Sequence, residues 1–109
     1  MKRTALTSNY GAWFDEDAAV KFSEKTRWNG NNHISVPTGS QWNHEQLHYT
    51  RGGKWILNEW SQCQGSLETY ELIDESAAID WLIVNGCDLE GLPDNVRTMV
   101  EQSIESAEL

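Results

Sequence analysis

The chain has 109 residues, 39% of them hydrophobic and 23% charged, with a formal charge of −9 and six tryptophans. That length fits one domain with one modest core, and the composition is that of a globular protein rather than a disordered one. No apolar run nears the roughly 20 residues of a membrane-spanning helix, and the first nine residues lack the apolar stretch of a secretion signal, so a cytoplasmic protein with no membrane contact is expected.

The charge is unevenly placed. Through Lys54 seven basic side chains face five acidic ones, whereas beyond it Arg97 stands alone against twelve carboxylates, so the two parts carry +2 and −11. A field of that sign repels phosphate backbones and attracts basic protein surfaces. Direct nucleic-acid binding is therefore disfavoured, although Arg51 and Lys54 could touch a phosphate.

In chain order, residues 1–12 read as a loose polar lead-in. From Asp15 the pattern predicts a helix: Asp15 as N-cap, Glu16 and Asp17 in the first turn, Ala18, Ala19 and Phe22 as the apolar face, and Asn29-Gly30 as the stop. His33 to Val36 alternates and meets Pro37, the mark of a short edge strand. Glu45 to Thr50 and Lys54 to Ser61 flank Arg51-Gly52-Gly53, the clearest hairpin signal in the chain. In the second of these strands Trp55, Leu57 and Glu59 fall on one face and Ile56, Asn58 and Trp60 on the other, so both faces are expected to be covered in part.

After a turn at residues 62–66, Leu67 to Ile73 reads as a further strand. Asp74 then caps a helix whose apolar face is Ala77, Ala78, Trp81 and Leu82 and which ends at Asn85-Gly86. The segments 14–22 and 73–81 echo one another, a likeness that a shared capping solution explains without duplication. Leu92-Pro93-Asp94 opens a last helix over 93–109, with Val96, Met99, Val100 and Ile104 at helical spacing. The expectation is an α+β domain, an antiparallel sheet of three or four strands with two or three helices packed on it.

Candidate chemistry is sparse. His44-Glu45-Gln46-Leu47-His48 spells the zinc-peptidase pattern, which needs a helix to bring positions i and i+4 to one ion. Its flanks read as strand, where those positions lie roughly 13 Å apart. A small zinc-dependent hydrolase is thus the alternative reading; the preferred one has no catalytic residue, metal or cofactor. Cys63 and Cys87 lack partners at ligand spacing and read as free thiols. Each tryptophan is expected in the core ahead of an interface.

Leu47, Thr50, Gly53, Trp55, Leu57, Trp60, Ser61, Gln64 and Gly65 form an L-x-x-T-x-x-G-x-W-x-L-x-x-W-S-x-x-Q-G core. In this the chain resembles short bacterial and phage-borne accessory proteins. The resemblance implies a mobile-element setting and, by analogy of gene class, an inhibitor of host defence such as an anti-CRISPR protein. It carries over no catalytic residue.

The expected function is that of a non-enzymatic binding protein, a DNA mimic, that occupies a basic, nucleic-acid-binding surface on a host protein. The expected partner-binding residues are Glu101, Glu105 and Glu108, which oppose their own helix dipole, together with Asp88, Glu90 and Trp60. A homodimer through the Val96, Val100 and Ile104 stripe is a further alternative.

Overall fold

The computed structural model describes residues 1–9 and 11–109. In chain order the elements are β1 (Arg3–Ala5), β2 (Trp13–Asp15), β3 (Val20–Ser23), β4 (Thr26–Trp28), β5 (His33–Ser35), β6 (Asn43–Tyr49), β7 (Trp55–Ser61), β8 (Thr69–Ile73), α1 (Glu75–Asn85) and α2 (Asp94–Ser106). The fold is α+β. An antiparallel sheet in the order β3-β6-β7-β8 is accompanied by two small antiparallel pairs, β1-β2 and β4-β5.

The hairpin turn sets the register of the main sheet. Gly53, at φ +80°, closes it, and His44 then pairs with Trp60, Gln46 with Asn58, Leu47 with Leu57 and Tyr49 with Trp55. Side-chain alternation separates two faces. One face carries Phe22, Leu47 and Trp55, which pack with Ala78, Trp81 and Leu82 of α1 and with Val96 and Val100 of α2. The other carries Ile56 and Tyr70, covered by Leu6 and Phe14 from the β1-β2 hairpin. The domain is thus a helical layer, a sheet and a small hairpin layer, with a core on each side of the sheet.

Local signals account for α1. The Asp74 carboxylate accepts from the Ala77 amide at 2.8 Å, and Gly86 ends the helix in the left-handed region at φ +58°. In α2, Pro93 stands at the N-cap rather than inside the first turn, and the helix closes at Ser106, leaving Glu108 beyond it.

The predicted helix from Asp15 does not form. Residues 13–15 and 20–23 are strands around a short turn, because Val20 and Phe22 pair with Tyr49 and Leu47 while Phe14 is buried in the opposite core. Pairing across the sheet overrides a local capping pattern. The segments 14–22 and 73–81 therefore adopt different structures despite their similar letters. The predicted lead-in over 1–12, of which Tyr10 lies outside the described residues, is also more than that: β1 pairs with β2, Leu6 is buried, and the Thr7 amide donates to the Tyr70 carbonyl at 2.8 Å. Thr26–Trp28, expected in the helix, pairs instead with the predicted strand at His33–Ser35. No helix among the described residues is long and apolar enough to cross a membrane.

Candidate partner-binding surface

Folding sets most carboxylates of the first half beside a cation or an imidazole, and few of those in the second. Asp15 lies near Arg51, Glu16 near Lys2 and Lys21, Asp17 near the N-terminal ammonium, and Glu24 against His44. Glu16 is buried, and burial pushes its carboxyl up; the hydrogen bonds from Lys2 and Thr4 and the Lys21 charge outweigh this and hold it below the ordinary range. Of the twelve carboxylates after Lys54, by contrast, only Asp94 has a cationic partner among the described residues, Arg97 one turn away.

Some of those twelve have local roles. Glu68 accepts from Asn58 at 3.0 Å and from the Tyr70 hydroxyl at 3.2 Å; Glu71 accepts from Ser8 at 2.6 Å; Asp88 accepts from the Glu90 amide at 3.1 Å. With Asp74 capping α1, that leaves Glu59, Glu75, Asp80, Glu90, Glu101, Glu105 and Glu108 without side-chain hydrogen bonds or ion pairs among the described residues. All seven are exposed. Five of them lie on the two helices or the loop joining them, so the unbalanced charge belongs to the helical layer.

The predicted partner-binding residues do not form a single cluster. Asp88 and Glu90 are exposed in the loop before α2, Glu101 and Glu105 are exposed in its later turns, and Glu108 follows it. Thirteen helical residues span about 20 Å, so the loop and the helix end lie at opposite ends of α2. Trp60 lies elsewhere. It is half-buried on the sheet face opposite the helices, with its ring stacked on His44 at 5.7 Å between centroids. Val96 and Val100 are buried in the chain's own core, whereas Ile104, the third residue of the stripe, is 45% exposed.

The zinc motif lies on β6, as its flanks suggested. His44 Nδ1 contacts Glu24 at 2.8 Å, while His48 is wholly enclosed between Phe14 and Tyr70. The strand spacing keeps the two imidazoles from sharing an ion, and no group of three or more metal-ligating side chains is assembled among the described residues. Glu45 points to the other face, where its Oε1 accepts from the Trp81 indole at 2.9 Å. Burial and the neighbouring carboxylates Glu59 and Glu24 push its carboxyl up.

Glu45 and Glu59 are directly opposed across the strands. Like charges so placed oppose pairing by roughly 0.2–1 kcal/mol. Replacing Glu45 with Gln is therefore expected to raise stability by that amount in a urea titration at pH 7, since an amide oxygen still accepts from Trp81.

Cys63 is exposed and Cys87 half-buried, and both are free thiols. Burial raises the Cys87 thiol, which disfavours a nucleophilic thiolate there. Of the six tryptophans only Trp55 and Trp81 are buried, whereas Trp13, Trp28 and Trp42 are 45–59% exposed. The general preference for core thus fails at half of them. Alternation along β6 and β7 could have placed Trp42 beside His44 on the face of Trp60; Trp28 depended on the β4-β5 pairing that the sequence reading missed.

Compared with known protein families, with curated proteins and with solved structures, the chain matches none.

Proposed function

We propose that this chain is a non-enzymatic binding protein whose acidic helical layer occupies a basic, nucleic-acid-binding surface on another protein. The observation that carries this reading is the absence of cationic partners for eleven of the twelve carboxylates after Lys54 among the described residues. Such a field steers a basic partner and competes with the phosphates that partner normally meets. The resemblance to phage-borne accessory proteins points the same way, toward a host-defence component such as a CRISPR-Cas protein as the target.

Glu101 and Glu105 stand one turn apart near the negative end of α2, with no basic residue in its last turn. Both the dipole and the like-charge pair oppose this arrangement, by about 0.5–1 kcal/mol together. Neutralising Glu101, Glu105 and Glu108 to Gln is therefore expected to raise the melting temperature of the isolated chain and to weaken partner binding. Such opposite changes mark residues kept for binding at some cost to stability.

The test immobilises wild type and the triple variant, challenges both with host lysate at low salt, and identifies what is retained. A nucleic-acid-binding protein should be captured, released as salt rises from roughly 0.1 to 0.5 M, and retained about tenfold less by the variant. Binding that ignores salt, or equal retention by both chains, refutes the proposal.

A further inference from the structure

Aromatic rings continue from the β4-β5 pair to the β6-β7 pair. Trp28 and His33 are paired across β4-β5, with ring centroids 5.1 Å apart. His44 and Trp60 are paired across β6-β7 and stacked at an interplanar angle of 30°. Between them lies a cavity of about 280 Å³ lined by Asn32, His33, Gln41, Trp42, His44 and Gln62. The Gln62 amide donates to the Trp42 carbonyl at 2.9 Å, which carries the strand pairing one step further and sets Trp42 beside this row. Trp28 and Trp42 are 59% and 50% exposed, so neither indole is committed to a core.

The lining is uncharged although the surface as a whole is rich in carboxylates. It holds rings and three primary amides, with no carboxylate, lysine or arginine. A phosphate-bearing ligand would find no cation there, and a basic peptide would find no anion. An amide offers donors and an acceptor without charge, and an indole face takes a C–H-rich ring. The wall is also prearranged, because the contact between Nδ1 and Glu24 fixes the His44 ring.

We infer that this cavity binds a neutral sugar ring, with its C–H face stacked on Trp42 and its hydroxyls hydrogen-bonded to Asn32, Gln41 and Gln62. A volume of about 280 Å³ accommodates one sugar ring. None of the lining residues belongs to the helices or to the loop joining them, so the site stands or falls separately from their function.

The test titrates the ¹⁵N-labelled chain with maltotriose, cellotriose and triacetylchitotriose, all uncharged, and follows the indole N–H signals, assigned by single substitutions. At least one sugar should shift the Trp42 signal with millimolar affinity and leave the Trp13 signal in place. Trp42→Ala should weaken that binding about tenfold. Trp13→Ala, which removes an indole of similar exposure on the β1-β2 hairpin, should leave it unchanged. No shift with any of the three sugars, or equal loss in the two variants, overturns the inference. Shifts at Trp42 only with oligothymidylate or a hexa-arginine peptide overturn it as well, assigning the strip to nucleic acid or to protein.

Discussion

Replacing Trp81 with alanine is expected to destabilise the domain by about 3–5 kcal/mol, the cost of a large cavity where a buried ring stood. A domain of this size has only about 5–15 kcal/mol in total, so much of the chain should then unfold in mild denaturant. Trp81 is 8% exposed and packs in the core that joins α1 to the sheet, while its indole N–H donates to Glu45 at 2.9 Å. The alanine variant loses both the packing and the donor to a carboxylate already crowded by Glu59 and Glu24. Trp81→Phe separates the two, since it keeps a ring and removes the N–H, and should cost about 1–2 kcal/mol. Guanidinium titrations measure both; a loss below about 1 kcal/mol for the alanine variant would mean that α1 is not docked through this residue.

The same contact bears on function. Glu75 and Asp80 lie on α1, Glu90 on the following loop, and Glu101 and Glu105 on α2. Their arrangement depends on both helices being held to the sheet, and Trp81 is the largest side chain that α1 contributes to that contact. Trp81→Phe, which leaves the chain almost wholly folded, should therefore bind the partner as wild type does in the absence of denaturant. The acidic residues differ in this respect, because neutralising them should raise stability while binding falls.

What could be read from the letters was whatever local chemistry decides. The Arg51-Gly52-Gly53 turn fixes the β6-β7 register, and Asp74 and Gly86 bound α1 by contacts within a few residues. Asp15 displays the same capping letters as Asp74, yet its segment is extended, because Phe14 and Phe22 belong to cores on opposite faces of the sheet. A helix could not deliver both rings, and no short-range signal reveals that requirement. The acidic surface was legible because charge counts survive any fold, although the fold removes Trp60 from it. The aromatic cavity was not legible, since it brings residues near 32, 42 and 62 together through a β4-β5 pair that the sequence pattern concealed.

His48→Leu is expected to stabilise the domain by about 1–2 kcal/mol at pH 7.5, the reverse of the usual effect of a core substitution. His48 has no exposed surface, and neither ring nitrogen has a hydrogen-bond partner among the described residues. Its ring sits 5.3 Å from that of Phe14 and 6.3 Å from that of Tyr70, in surroundings that suit an apolar side chain. Burial lowers its pKa below the ordinary 6.5; the charges of Glu16 and Glu68 pull upward and those of Lys21 and Lys2 downward. Tyr70, beside it, is pushed up to about 12 by burial and by the same two carboxylates, so it stays a neutral phenol throughout this range.

The unfolded chain thus binds this proton more readily than the folded one. Stability is complete above about pH 6.5 and falls as pH drops toward the folded value, by at most about 1.4 kcal/mol per pH unit. Glu45 acts with the opposite sign, since its raised carboxyl takes up a proton in the folded chain first. Comparing His48→Leu with wild type cancels that contribution. Urea titrations of both at pH 7.5, 6.5 and 5.5 should show the gap between them widening as pH falls. Parallel curves would mean that the imidazole gains a partner or access to water when charged, and that the β1-β2 hairpin does not seal it.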